Sequence, residues 1–207
     1  MDAREELYEG CLEVDASGLN HGSSGNISVR EGEGFWITPS GVQTKDLSPE
    51  RMAFVDLKGG PEEGRPSSEW PFHQAVYRSR SDLKALVHTH SVNASSVAIL
   101  GHSIPAIHYM VAVCGGTEVP CVPYATYGTQ ELSDCVVEGM KDRNAILMQH
   151  HGMLAGEVTL SRAIWVAREI EWVAECYLKL LPLGPPPTLR YDQMKEVLDK
   201  FKGYGVK

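Results

Sequence analysis

The sequence is short of positive charge, with 19 Lys and Arg against 27 Asp and Glu and a net charge of −8 when histidine is neutral. Proteins that bind nucleic acid need a basic surface, so we expect no nucleic-acid partner. Long apolar runs are also missing, because no stretch approaches the about 18 residues of a membrane-spanning helix. The acidic segment Met1–Glu6 has no apolar core of a secretory signal. We therefore expect no membrane association and a cytoplasmic location.

Cysteine is scarce as well: there are five, and no two are spaced as a C-x-x-C pair. An odd number without that spacing predicts neither a disulfide framework nor a thiolate zinc site. Apolar residues, in contrast, make up 43% of the chain, which is enough to build a packed core and argues against disorder. At 207 residues we expect one domain.

Hydrophobic periodicity predicts helices and strands that alternate along the chain. The predicted helices cover residues 3–18, 67–80, 92–100, 131–141, 161–181 and 191–202. The predicted strands cover 27–30, 35–37, 52–57, 85–90, 106–113, 121–122 and 145–149. The stiff proline-rich segment 182–187 cannot continue a helix. The pattern predicts a single mixed α/β domain over 1–207, with a C-terminal helix and tail, about 188–207, after this linker.

Histidines form the first chemical motif. His88 and His90 are two apart on a predicted strand, so both imidazoles project from the same face. Another histidine pair, His150 and His151, follows a buried strand, and Glu69 lies at a helix entrance upstream. Three imidazoles with one carboxylate and no thiolate suit a catalytic Zn²⁺ or a similar divalent ion. Adjacent strand residues face opposite ways, so only one of His150 and His151 should be a ligand, and the residue chemistry leaves open which.

The other histidines are expected to have packing or surface roles. They are His21, His73, His102 and His108. His73 follows Glu69 by one helical turn, so it could support that carboxylate if the helix begins early.

Three small-residue loops form a second motif. Residues 22–26, 38–41 and 67–68 offer hydroxyl groups or a side-chain amide, with glycines that let a ligand approach the backbone. Such loops can bind anions. None has the Walker or dinucleotide-binding pattern, so a nucleotide is not indicated. Three of them beside a metal site favour a phosphate group.

These motifs, in this order and spacing, resemble the class II aldolase family of the fuculose-phosphate type over nearly the whole chain. The segments that carry the resemblance are 25–30, 38–41, 67–69, 88–90, 150–152 and, with the highest specificity, 103–110, 123–128 and 200–205. The resemblance implies an α/β fold with a central, mainly antiparallel sheet flanked by helices. It also implies a homotetramer whose active sites lie at subunit interfaces.

The resemblance further assigns roles to residues. His88, His90 and His151 would hold one Zn²⁺ per subunit. Glu69 would bind this ion in the resting state, leave it when substrate arrives, and act as acid/base. Tyr109, from a neighbouring subunit, would supply a proton or hydrogen bond to the aldehyde half of the substrate.

Two groups of residues would bind the rest of the substrate. The phosphate would be bound by Ser23, Asn26, Ser40, Gly41, Ser67 and Ser68. The aldehyde pocket would be shaped by Tyr127, Phe201 and Tyr204. Tyr127 stands where relatives carry phenylalanine, which adds a hydroxyl group to this pocket.

The implied reaction is reversible aldol cleavage of a 1-phosphoketose to dihydroxyacetone phosphate and a short aldehyde. We expect L-fuculose 1-phosphate, which gives L-lactaldehyde, with 5-deoxyribulose 1-phosphate as an alternative that the sequence hardly separates. A pentulose-5-phosphate 4-epimerase is less favoured, because such enzymes usually carry aspartate at the position of Glu69. A methylthioribulose-phosphate dehydratase is a further rival. A non-catalytic, adducin-like scaffold is disfavoured, because such heads generally lose the metal residues.

Overall fold

The computed structural model describes residues 2–202. Within this range, eight strands form one sheet and α-helices flank it. The strands are β1 (Asn26–Glu31), β2 (Gly34–Ile37), β3 (Ala53–Asp56), β4 (Gly60–Glu63), β5 (Ala85–Thr89), β6 (Cys121–Val122), β7 (Ala145–Met148) and β8 (Gly152–Glu157). The helices are α1 (Ala3–Ala16), α2 (Trp70–Ser79), α3 (Val92–Ile99), α4 (Gln130–Met140), α5 (Leu160–Leu180) and α6 (Tyr191–Phe201).

The sheet order is β4-β3-β2-β1-β5-β8-β7-β6. Every neighbouring pair is antiparallel except β6 and β7, which are parallel. The expected α/β fold with a mainly antiparallel central sheet is confirmed. Strand β5 is one of the two central strands and pairs with β1 and β8, so the segment around His88 is held by hydrogen bonds from both sides.

The two faces of the sheet bury different side chains because strand residues alternate. Along β5, Ala85 and Val87 belong to one hydrophobic cluster and Leu86 to the other. Helices α1, α3 and α5 contribute to the first cluster, and α2 and α4 to the second. His88 therefore projects on the face covered by α2.

Three segments differ from the sequence-based expectation. Residues 106–113 do not form a strand: Tyr109–Cys114 is a 3₁₀ helix beside α5, and its residues from Val111 onward are buried in the helical layer. A short apolar run does not distinguish a strand from a buried helix by periodicity, which explains the error. Neither strand β4 nor strand β8 is among the predicted strands. Glycines interrupt the apolar pattern of β8 at Gly152 and Gly156.

The C-terminal helix α6 packs on the 3₁₀ helix Tyr109–Cys114. Its Met194 is fully buried in the larger cluster, and the Leu189 backbone N–H donates to the Ala106 carbonyl oxygen at 2.8 Å. All five cysteines are free thiols, as expected. Among residues 2–202, no helix is at once long and apolar enough to cross a bilayer.

Candidate active site

His88 is the centre of the site, and the sheet fixes its orientation. It lies near the end of β5, opposite Asn26 on β1, and is completely buried. Its Nδ1 lies 2.8 Å from the carbonyl oxygen of Met153 on β8. Because a carbonyl only accepts, Nδ1 carries a proton, so Nε2 is the nitrogen through which the neutral ring could bind a metal. This is the arrangement by which proteins orient a histidine that ligates a metal through its other nitrogen.

His90 joins His88 just beyond the end of β5. The Nε2 atoms of the two imidazoles are 3.0 Å apart, so the predicted common face is confirmed. Gly152, on the neighbouring strand β8, allows this close approach: a Cβ there would overlap the carbonyl oxygen of Thr89 and lie 2.9 Å from Cδ2 of His90.

A tight turn between β7 and β8 separates the roles of the histidine pair. His150 has φ 55°, the left-handed region that non-glycine residues rarely adopt, and the His151 N–H donates to the Met148 carbonyl oxygen at 3.0 Å. This turn brings His151 Nε2 to 3.0 Å from Glu69 Oε1. His150 stays exposed.

Glu69 completes the cluster from the other side, at the residue directly before α2. Its Oε2 lies 3.2 Å from His88 Nε2. One potential ligand atom from each of Glu69, His88, His90 and His151 falls within 4.8 Å of all the others. Among the described residues, Glu69 Oε1 is buried yet has no hydrogen-bond partner of good geometry. A bound cation would contact this unpartnered carboxylate oxygen together with the converging imidazole nitrogens. The four residues therefore fit a divalent metal.

The electrostatics of the cluster agree with a metal site. Burial by itself raises the pKa of Glu69, but the nearby His88 and His151 outweigh it and hold that pKa well below its usual range. Burial, with repulsion from His88 and His151, lowers the pKa of His90 to about 3. At neutral pH the cluster therefore offers an ionised carboxylate and a neutral His90 imidazole, which are the ligand forms that metals bind.

The cluster lies at one wall of a cavity of about 330 Å³. Three residues of the cluster, Glu69, His90 and His151, line this cavity. The predicted phosphate-binding residues line it together: Ser23, Asn26, Ser40, Gly41, Ser67 and Ser68. The described lining contains no lysine or arginine. Three loops that are distant in sequence thus present hydroxyl and amide groups to one space beside the metal site.

The other predicted residues are distributed differently. Tyr127 lines the same cavity and is 65% exposed. Tyr109 is 49% exposed but does not line the described part of this cavity. Phe201 packs against the main core and lines a different cavity. Tyr204 lies outside the described residues.

The residue-by-residue expectations left out some of the cavity lining. Ser24, Tyr124 and His150 also face this space. Ser24 belongs to a loop that the sequence singled out, so the motif located it without naming it. The ring of Tyr124 lies 6.1 Å from that of His150, an approach of distant segments that no local pattern indicates.

Residues 5–178 match the model of the family described as "Class II Aldolase and Adducin N-terminal domain". The chain belongs to this family. It is 50% identical over 98% of its length to a "5-methylthioribulose-1-phosphate/5-deoxyribulose-1-phosphate aldolase" from Escherichia coli O45:K1, and covers 96% of that protein. It is 48% identical over 98% of its length to the "L-fuculose phosphate aldolase" of Escherichia coli K12, and covers 95% of it.

A solved structure agrees with this assignment. An "L-fuculose 1-phosphate aldolase" superposes with a TM-score of 0.93 at 35% identity, covering 97% of this chain and 96% of the other. The chain is thus a class II aldolase, a lyase. Class II aldolases depend on a metal ion, and the cluster of Glu69, His88, His90 and His151 could bind one. The family resemblance stated from the sequence is confirmed.

Proposed function

We propose that this class II aldolase catalyses reversible cleavage of a 1-phosphoketose to dihydroxyacetone phosphate and a short aldehyde. One observation carries the proposal: the carboxylate–imidazole cluster and the three hydroxyl-bearing loops border a single cavity. A phosphoketose needs both, because its phosphate requires hydrogen-bond donors and its carbonyl and hydroxyl oxygens require an electrophile.

Zinc, one per subunit, is the metal we propose. Three imidazole nitrogens and one carboxylate oxygen are donors that zinc binds in proteins. His88, His90 and His151 would hold it, with Glu69 as the fourth ligand in the resting state. When bound, the ion supplies a Lewis acid, which stabilises negative charge on a substrate oxygen by several kcal/mol.

The phosphate would be held without a basic side chain. Ser23, Ser40, Ser67 and Ser68 carry hydroxyl donors, and glycines such as Gly41 let the phosphate approach the backbone. This mode of binding suits a chain of net charge −8, because it depends on short-range donors and not on long-range attraction.

Protons would be moved by two residues. Glu69 is ionised, 7% exposed and lines the cavity, so it can accept a proton on the dihydroxyacetone side. Tyr109 would act on the aldehyde side. Since Tyr109 is exposed and does not line the described part of its own chain's cavity, we propose that it serves a neighbouring subunit. From the family resemblance we further propose a homotetramer with active sites between subunits, and an aldehyde pocket shaped by Tyr127, Phe201 and Tyr204.

Two substrates deserve a direct comparison. L-Fuculose 1-phosphate, which yields L-lactaldehyde, is our first candidate and would place the enzyme in fucose metabolism. The second is 5-deoxyribulose 1-phosphate or its methylthio analogue, because a relative of that name is 50% identical. The exposed hydroxyl of Tyr127 at the cavity is where the two aldehyde halves would be distinguished.

The free thiols support a reducing, cytoplasmic location.

The test is a cleavage panel on the purified enzyme. L-Fuculose 1-phosphate, 5-deoxyribulose 1-phosphate, 5-methylthioribulose 1-phosphate and ribulose 5-phosphate are each assayed after chelation and after adding back Zn²⁺, Mn²⁺ or Co²⁺. We expect release of dihydroxyacetone phosphate from a 1-phosphoketose, loss on chelation and recovery with zinc. Full activity of the metal-free enzyme would reject the metal proposal. Conversion of ribulose 5-phosphate alone would indicate an epimerase.

A further inference from the structure

A series of buried, hydrogen-bonded polar side chains extends from Glu69, at the wall of the cavity, into the protein interior. Asn26 Nδ2 lies 2.8 Å from Glu69 Oε2, and Asn26 Oδ1 lies 2.6 Å from His73 Nε2. On the far side of the ring, His73 Nδ1 lies 2.7 Å from Ser28 Oγ, which lies 2.9 Å from the Tyr77 hydroxyl. His73 and Ser28 are fully buried, and Asn26 and Tyr77 nearly so.

Elementary hydrogen bonding fixes the direction of each hydrogen bond between Ser28 and Glu69. The ionised Glu69 carboxylate only accepts, so the Asn26 amide must turn its NH₂ toward it and its oxygen toward His73. His73 must then donate from Nε2, which leaves Nδ1 as the acceptor of the Ser28 hydroxyl proton. The Tyr77 hydroxyl donates to Ser28, either to Oγ or to the backbone oxygen 3.1 Å away. From Ser28 through His73 and Asn26, each donor points toward Glu69.

Neighbouring rings and burial keep the His73 imidazole in the orientation and the neutral form that this hydrogen-bond pattern requires. The Phe72 ring lies nearly parallel to it, with centroids 4.6 Å apart, and the Phe35 ring is nearly parallel at 6.4 Å. Burial, with repulsion from His88, lowers the pKa of His73 to about 3 against the opposing attraction of Glu69. A neutral ring with one donor and one acceptor is therefore retained at neutral pH.

We propose that His73 is a positioning residue for Glu69: its Nε2–H holds the Asn26 amide in the one orientation that donates to the carboxylate. The inference rests on the proposed function only in that Glu69 does the chemistry. Without His73, the Asn26 amide loses the hydrogen bond that holds its oxygen, and only its contact with Glu69 still orients it. The amide is then freer to move, and the carboxylate beside His88 is held less firmly.

The experiment compares His73→Gln with His73→Leu. The Gln side chain can place an amide N–H where Nε2–H was, whereas Leu fills space without a donor. We expect His73→Leu to lower kcat by about tenfold or more with little change in KM, and to weaken zinc binding by about 10–100-fold in chelator competition. His73→Gln should recover most of both. His102→Leu, which removes a histidine outside the site, is the control.

The assignment has a readout that needs neither activity nor a variant. ¹⁵N NMR of the histidine-labelled protein should show the proton of His73 on Nε2 and an unprotonated Nδ1. The opposite tautomer would overturn the proposal even if His73→Leu failed to fold. A folded His73→Leu with unchanged kcat and zinc affinity, or a His73→Gln as impaired as the Leu variant, would also overturn it. If the wild type cleaves no phosphoketose, zinc affinity and NMR still decide the role of His73 separately.

Discussion

Asn26 and His88 face each other as register partners on β1 and β5, and their side chains project from the same face of the sheet. A residue of the phosphate loops and a candidate metal ligand are thereby held on adjacent hydrogen-bonded strands. Glu69 closes the arrangement, because it lies within 3.2 Å of both side chains. Small changes at any of these three positions should therefore affect both metal and substrate.

Glu69→Gln should leave the fold intact and lower kcat by at least about 100-fold, because an amide is not a base and general acid–base catalysis contributes on this scale. A coupled assay for dihydroxyacetone phosphate release measures the rate, and circular dichroism checks the fold. Glu63→Gln, on the exposed part of β4, is the matched control. A near-normal rate in Glu69→Gln would reject the acid/base role.

His151→Ala should abolish the stabilisation of the protein by zinc, whereas His150→Ala should retain it. A ligand that binds only the folded state adds about 2.7 kcal/mol at 100 times its Kd, so the wild type should show a clear rise in Tm. Thermal unfolding with and without Zn²⁺ makes the comparison. If only His150→Ala loses the response, the assignment of the ligand to His151 is wrong.

Gly152→Ala should weaken metal binding, because its Cβ would overlap the Thr89 carbonyl oxygen and press on His90. We expect a loss of about 1–3 kcal/mol in the free energy of unfolding, the usual cost of overpacking. Gly59→Ala is the control, since its Cβ would meet only Asp56 at ordinary contact distance. Equal zinc affinity in both variants would show that the approach of β8 to His90 does not matter.

As the pH falls, the free energy of unfolding should decrease more steeply for the wild type than for the His73→Gln variant. The pKa of His73 is lowered from 6.5 to about 3 by burial, so between these values the unfolded chain binds a proton that the folded protein excludes. The contribution of His73 is fully present above pH 6.5 and falls by about 1.4 kcal/mol for each pH unit below it. Urea unfolding of the metal-free proteins from pH 7 to 5 measures the difference between them. A difference that stays constant with pH would contradict the prediction.

The two histidine pairs show what the local sequence pattern can and cannot predict. His88 and His90 could be placed on one face from their spacing, because side-chain alternation is a property of the strand itself. The choice between His150 and His151 could not be made from residue chemistry, because it depends on the turn at His150 and on where β8 pairs. Family resemblance favoured His151, and the geometry places His151 in the cluster with Glu69.

The segment 106–113 and strand β8 show the opposite case. Both are apolar and short, and their conformation follows from what covers them. Most of the first segment packs beside α5, and β8 pairs with β5 and β7 inside the sheet. The partners lie far away in sequence, so no window of residues contains the information.

Composition, periodicity and motif order by themselves determined an α/β chain with a carboxylate–imidazole set and three loops of small, hydroxyl-bearing residues. Those properties are local, because they depend on side-chain chemistry and on the repeat of a single strand or helix. Only the tertiary structure decided that Ser23, Ser40 and Ser67 border one cavity and that His73 reaches Glu69 through Asn26. The reason is physical: sheet order and the packing of α2 on β1 set those distances, and both follow from burial of apolar surface across the whole chain.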